Sequence, residues 1–463
     1  MSGSFFARFR RLSGESARIN EPVRRLRLVE PDDVPHQAVA TSTLVVIGAT
    51  LASTLLGFMR EVVNARFYGA HREMDIFVAA ATVPTILFGA FNGALLSALV
   101  PTFSSYLARG EERSLWRLAS TIINTIFLTL SVCAVGGWLL APYYVPIVAR
   151  GFSGSSLYET IRMTQWLMPT IVATSLAGVV SALLNAYHRF SATAIQGIAI
   201  NIATILCVIA LFHNLGIYAL VLGTSLGLVM QLLVQLPSLI ALRKFQWCLD
   251  FRHPGFAQIG RMLGPILVGS AAGQIALFFD RYFASSLPSG YMSGMNYAVK
   301  LANFPQQIFA AAIATVLFPL LASQFAVDNR EGVRRVLTTG LRIVSFVMVP
   351  AVCGILVLRV PIVAALFQRG AFGPSATALT AGLLPYTAVG LFALAANVVL
   401  SRCSFACHEV RWTVGISVFS VVANVVLSVL WLPTLGAKGL LLANSVSQTL
   451  QALMLLILVW RIV

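Results

Sequence analysis

The sequence predicts an all-α polytopic membrane protein: about twelve transmembrane helices, in two parallel-repeat lobes of six around a central cavity. Three observations carry this. Long apolar segments fill the chain from residue 41 to residue 460, and almost every formal charge falls between them. The chain is 58% hydrophobic and 10% charged with a mean hydropathy of +0.85, more apolar surface than a soluble fold can hide. Its second half repeats its first.

The segments follow in order. The first, 41–59, is apolar until Arg60-Glu61, and the second, 75–103, opens on Asp75 and contains Pro84. The third, 118–148, follows the basic run at Arg109, Arg113 and Arg117, and the fourth, 161–187, contains Pro169. The fifth and sixth, 192–212 and 216–242, meet at Leu215-Gly216 and end at Arg243-Lys244. The second six run 259–283, 291–322, 336–358, 376–399, 412–432 and 439–460, with Pro265 in the seventh and Pro305 in the eighth. Each exceeds the roughly 18 residues that mark a spanning helix, against the ~20 needed for a hydrocarbon core of ~30 Å. The longer ones imply tilt, and the internal prolines supply kinks.

Three landmarks recur. Leu99-Val100-Pro101 matches Leu317-Phe318-Pro319; Pro146-Ile147-Val148 then Arg150-Gly151 matches Pro361-Ile362-Val363 then Arg369-Gly370; Leu215-Gly216-Ile217 matches Leu435-Gly436-Ala437. The spacings are 218 residues from Pro101 to Pro319, 219 from Arg150 to Arg369 and 220 from Leu215 to Leu435; the Pro146 to Pro361 step is 215. The expected organisation is a disordered basic tail over 1–40, an N-lobe over 41–242, a cytoplasmic linker over 243–258 and a C-lobe over 259–463. Six is even, so both lobes keep one orientation, with the substrate site between them.

Charge orients the bundle. With a cytoplasmic amino terminus, 22 of the 32 Lys and Arg fall on that side, seven of them ahead of the first segment. Both termini are therefore expected in the cytoplasm. The net charge of +16 reads as arginine against anionic lipid heads, not as a nucleic-acid surface. The stretch before residue 36 lacks the apolar core of a signal peptide. Cys403, Cys407 and His408 share one helical face, but their spacing fits no zinc motif and a fourth ligand is not visible.

Polar residues inside the segments are the candidate functional groups, because charge in hydrocarbon is costly. Lys300 is expected about 13 Å below the outer surface, at 1.5 Å per residue from Tyr291. Pro305, Gln306 and Gln307 follow it, which suits a wet cavity. Asp280 and Arg281 close the seventh segment near the outer boundary. Asp280 with Asn424 and Ser428, spaced i, i+4, form a candidate oxygen-lined cation site. Arg60, Glu61, Arg66, Arg72, Glu73 and Asp75 gather in the first outer loop, with Arg60 and Arg66 as a cationic rim for an anionic headgroup. Amides such as Gln196, Gln231, Gln235, Asn397 and Gln448 are expected to hydrogen-bond between helices. A P-loop, a nucleophile elbow and a zincin helix are all missing. The energy source is then a Na+ or H+ gradient, the membrane potential or the substrate gradient, with no cofactor.

Gly57-Phe58-Met59-Arg60-Glu61, then Ala65-Arg66-Phe67-Tyr68-Gly69-Ala70 and Asp75-Ile76-Phe77-Val78-Ala79, resemble the opening of the lipid II flippase family (MurJ, also called MviN). The resemblance continues through Pro84 to Pro101. It returns at 274–284, at Tyr297-Ala298-Val299-Lys300-Leu301 with Pro305, and at Leu317-Phe318-Pro319. It covers nearly all of the chain from about residue 40, and implies a V-shaped two-lobed bundle of an exporter superfamily, a central cationic cavity and an undecaprenyl-diphosphate-linked sugar peptide as substrate. It also implies that Arg60 is a cavity cation of the first helix, that Asp75 matches an acid at the start of the second, that Lys300 stands where the family usually has Arg, and that Asp280 joins a sodium site with Asn424. Thr54 stands where the family often has another Arg, and 86–93 lacks its usual charges. Two further helices common in the family do not follow Val463.

The expected function is a flippase that carries a lipid II-like precursor across the bacterial inner membrane by alternating access, without covalent chemistry. Arg60, Arg66, Lys300, Asp75 and Gln306 are the expected headgroup contacts. The undecaprenyl-linked glycan and membrane lipids are the expected partners, with cell-wall synthesis proteins beside them. The alternatives are a flippase for another lipid-linked glycan, an exopolysaccharide or O-antigen unit, or an ion-coupled small-molecule exporter. The exporter wants an acid in the cavity, where only Lys300 is expected at depth.

Overall fold

The computed structural model describes residues 36–242, 244–407 and 409–462. The expected tail before residue 36, and the expectations resting on Arg243, His408 and Val463, lie outside the described residues. The chain divides into two units, Met1–Leu44 and Val45–Val463. The first is described only over 36–44, which are helical; all that follows concerns the second.

Among the described residues the fold is all-helical. The helices are α1 (His36–Tyr68), α2 (Arg72–Ala80), α3 (Thr82–Ala108), α4 (Glu112–Val148), α5 (Gly154–Leu167), α6 (Thr170–Ala186), α7 (Phe190–Leu215) and α8 (Tyr218–Leu233). They continue with α9 (Leu236–Ile240), α10 (Pro254–Ala284), α11 (Tyr291–Ala326), α12 (Arg330–Phe367), α13 (Pro374–Ala406), α14 (Val410–Leu435) and α15 (Ala437–Ile462). By length and composition, nine helices of the described residues can cross a membrane, α5–α6 and α8–α9 each counting as one. A shorter apolar helix, Gly93–Ala108, lies within the second expected segment, and α10 and α11 overlap the seventh and eighth without counting among the nine, so the expected twelve is not reached among the described residues.

Proline sets several breaks. Pro84 has no N–H for the Ala80 carbonyl, and the chain parts between α2 and α3. Ala80 O instead accepts the Thr164 hydroxyl at 3.3 Å. Pro169 separates α5 from α6, and Leu358 leaves helical geometry three residues before Pro361. By contrast, α10 and α11 run on through residues 265 and 305. The first helix also exceeds its expected end. It continues past Met59 to Tyr68, because Val62, Val63, Ala65 and Phe67 carry the apolar pattern onward.

The repeat is visible in the backbone. Gly216 and Gly436 end α7 and α14 with φ/ψ of 54/−131° and 56/−132°. Their N–H groups bond Phe212 O at 2.8 Å and Leu432 O at 3.0 Å. The positive φ explains glycine at both places. Before α4 and α12, Glu111 N bonds Tyr106 O and Asn329 N bonds Gln324 O, each at 3.0 Å.

Lipid tails are as apolar as leucine, so packing and interhelical hydrogen bonds hold the bundle. α13 packs against α11, α12 and α15; α3 packs on α6; α7 packs on α8. α10 touches α3 and α4 as well as α14. Gln196 Oε1 accepts Gln231 Nε2 at 3.1 Å and Gln235 Nε2 at 3.0 Å, and Ser181 donates to Gln235 at 2.9 Å. Asn397 Nδ2 donates to Gln448 Oε1 at 2.9 Å. These amides therefore join helices as expected.

Contacts to backbone carbonyls also tie down the end where α1 stops. Ala371 N donates to Arg66 O at 2.8 Å, His71 Nε2 lies 3.1 Å from Ala371 O, and the Tyr297 hydroxyl donates to Gly69 O at 3.3 Å. At the opposite end the linker, expected at the membrane interface, runs as an extended strap along α4. Lys244 pairs with Glu112 at 2.6 Å, Asn124 donates to Cys248 O at 3.0 Å, and His253 bonds Ser114 at 2.8 Å.

Candidate functional site

The continuation of α1 decides the site. Arg60 and Glu61 are not in an outer loop; they lie eight and seven residues inside the end of the helix, about 12 and 10 Å at 1.5 Å per residue. They line a cavity of about 290 Å³ with Asn64, Thr82 and Thr85, Arg281 of α10, and Asn296 and Lys300 of α11. Asn296 and Lys300 share one helix face at i, i+4 spacing.

One carboxylate organises two cations. Glu61, 4% exposed, receives Lys300 Nζ at 2.5 Å and Arg60 Nη2 at 3.1 Å on the same oxygen, Oε1. Its Oε2 is buried without a partner among the described residues. Such a shared anion holds two long, flexible cations in one place, where an incoming anion would meet both.

Arg281 completes a set of three cations, and its Nη2 donates to Asn296 Oδ1 at 3.1 Å. It also lines a neighbouring cavity of about 280 Å³ with Asp280, Asn303, Asn444 and Gln448. Asp280 in turn faces a third space, of about 490 Å³, shared with Ser417, Ser420, Asn424, Asn444 and Gln451. Asn424 Nδ2 donates to Asp280 Oδ1 at 3.1 Å. Among the described residues Asn424 Oδ1 and Ser428 Oγ are buried without partners, and Ser428 does not line that space.

The other expected contacts stand elsewhere. Asp75 is 1% exposed and does not line the cavity: its Oδ2 accepts Gly290 N at 2.6 Å and its Oδ1 accepts Ser293 N at 2.7 Å. It caps the start of α11, where free N–H groups and the helix dipole favour a carboxylate. Arg66 is exposed at the end of α1, with its guanidinium 5.9 Å from the Phe67 ring, and so is not a cavity rim. Gln306 is half-buried and outside the cavity lining. The sequence reading missed Glu61 as the shared partner and Arg281 as a cavity cation. The apolar residues after Glu61 were the signal for the first. Among the described residues, no three His, Cys, Asp or Glu gather as a metal site.

A polytopic helical bundle with charged groups around an internal cavity defines a membrane transporter, one that moves cargo without covalent chemistry. A model of the family described as lipid II flippase MurJ matches residues 64–462. A probable lipid II flippase MurJ of Vibrio cholerae serotype O1 is 32% identical over 435 residues, covering 89% of this chain and 81% of that protein. The lipid II flippase MurJ of Burkholderia cenocepacia is 28% identical over 426 residues, covering 89% and 82%. The chain belongs to the lipid II flippase MurJ family. The fold agrees: a solved lipid II flippase MurJ in an inward closed conformation superposes with a TM-score of 0.80 at 23% identity, covering 90% and 87% of the two chains. An inward-facing multidrug resistance transporter of the MATE family superposes with a TM-score of 0.71 at 16% identity, covering 90% and 98%.

Proposed function

We propose that this protein carries a polyprenyl-diphosphate-linked cell-wall precursor, lipid II or a close relative, from the cytoplasmic to the outer face of the inner membrane. The observation that carries the reading is the pair of cations, Lys300 and Arg60, held on Glu61 inside a membrane cavity. A diphosphate entering there replaces one carboxylate with several anionic oxygens and meets both cations by charge-assisted hydrogen bonds. The polyprenyl tail stays in lipid. Rocking of the lobes 41–242 and 259–463 then presents the head to the other side. Both termini face the cytoplasm, in line with the charge asymmetry.

Asp280 and Asn424 supply the coupling site in this reading. Their oxygens, with Asn424 Oδ1 unpaired among the described residues, form a hard donor set suited to Na+. Depletion of the protein tests the proposal. Lipid II should accumulate on the cytoplasmic leaflet, and accumulation of a different polyprenyl-linked glycan would assign the protein to that glycan. A reporter fused after Val463 that reads as external would overturn the topology.

A further inference from the structure

Three cations line the cavity, but only two of them form direct ion pairs among the described residues. Lys300 and Arg60 share Glu61. Arg281 forms no ion pair among the described residues; its neighbour in sequence, Asp280, is instead bonded by Asn424. The bond the structure gives the guanidinium is to the neutral Asn296. A guanidinium carries five N–H donors in a planar fork. A guanidinium that lines a cavity with no direct ion pair, and only the through-space pull of Asp280, has N–H donors left for a ligand.

The position of Arg281 says which ligand. It lines both the cavity of Lys300 and the adjoining one. The adjoining cavity is lined by the amides Asn296, Asn303, Asn444 and Gln448, neutral donors and acceptors that suit sugar hydroxyls and peptide groups. Asp280 also lines it; a cation held by Asp280 and Asn424 would offset its charge. Arg281 thus stands where the diphosphate seat opens onto a polar chamber.

We propose that Arg281 seats a carboxylate on the sugar-peptide part of the substrate head, separately from the diphosphate held by Lys300 and Arg60. The planar fork binds carboxylate through two parallel bonds, which a lysine cannot reproduce. The residue therefore reads the attached chain and not the lipid anchor. This inference rests on the flippase reading above.

The test uses the purified full-length protein in lipid nanodiscs and three probes. These are undecaprenyl diphosphate, the same lipid bearing a disaccharide pentapeptide, and that compound with its carboxylates amidated. The parent should bind the carboxylate-bearing probe about tenfold more tightly than the amidated one, the worth of one charge-assisted bond. Arg281→Gln should erase this difference and lose less affinity for undecaprenyl diphosphate than for the carboxylate-bearing probe. Arg281→Lys should restore only part of it. Equal losses for undecaprenyl diphosphate and the peptide-bearing probe would make Arg281 a phosphate contact and overturn the proposal. So would a parent protein indifferent to amidation, a measurement that stands even if the Gln variant does not fold. A parent that binds none of the three probes would instead overturn the flippase reading itself.

Discussion

Lys300 of α11 and Glu61 of α1 form an ion pair at 2.5 Å inside the membrane, with Arg60 on the same carboxylate oxygen. Breaking a fully buried pair costs about 3–5 kcal/mol, and Lys300, whose side chain is 38% exposed to the cavity, should cost less. A charge-assisted bond to a diphosphate is worth about 1.5–3 kcal/mol, so Lys300→Ala should lose roughly tenfold or more in substrate affinity. Lys300→Arg should keep much of the function. Lys300→Glu should abolish it, because two carboxylates would then face the phosphates. Arg60→Ala should approach Lys300→Ala, because Arg60 lines the same cavity and shares the Glu61 oxygen. Complementation at equal expression checks the series; a fully active Lys300→Glu would remove the anionic-seat mechanism.

Asp75 should behave as a structural residue. Replacing a capping carboxylate by alanine typically costs about 0.5–2 kcal/mol. Asp75→Ala should lie at the upper end of that range, since both of its oxygens are engaged and it is 1% exposed. Thermal unfolding in detergent should show the loss, with diphosphate affinity at low temperature little changed. A normal melting temperature with abolished binding would return Asp75 to the substrate site.

Gly370 should hold the end beyond α1 closed. Its φ is +57°, and a Cβ there would meet the Arg66 carbonyl. A left-handed conformation costs an L-residue roughly 1–2 kcal/mol before any clash. Gly370→Ala should therefore shift the protein toward opening at that end. The readout is labelling of Ser293→Cys, a position that is 0% exposed, by an impermeant thiol reagent in a cysteine-free background. Unchanged labelling would show that this contact does not keep the end shut.

His253 should make the linker sensitive to acid. Its Nδ1 accepts Gly255 N–H at 3.2 Å, so Nε2 carries the proton toward Ser114. Burial is the largest influence and lowers its pKa; Asp250 and Glu111 oppose this, and Arg117 adds to it. The neutral ring is thus favoured in the folded protein. Its stabilisation is full above the unfolded pKa of ~6.5 and is lost as pH falls through the lower folded value. Protection of the Gly255 and Phe256 amides, taken relative to the intrinsic exchange rate at each pH, should fall between pH 7 and pH 5. His253→Asn, which keeps a capping oxygen, should remove that dependence; an equal pH effect in the variant would locate the titration elsewhere.

The sequence alone determined the class, the repeat and Lys300. Apolar length, charge between segments and matched landmarks are local properties that lipid imposes on any spanning chain. Gly216 and Gly436 show this best, since identical turns demand the same residue at the same spacing. Prolines were legible in part: Pro169 parts two helices, while α11 runs on through residue 305. What only the tertiary structure decided was which charge meets which. Arg60, Glu61, Asp75 and Arg66 look alike as one charged stretch in sequence. Because α1 continues to Tyr68, the first two enter the cavity, Asp75 turns to the start of α11, and Arg66 reaches the surface. Arg281 shows the same limit: its place at a helix end suggests solvent, and only the packing of α10 beside α11 brings it to Asn296 and Lys300. Ion pairs between distant segments depend on helix ends and rotations of a few residues, and apolar periodicity does not fix those.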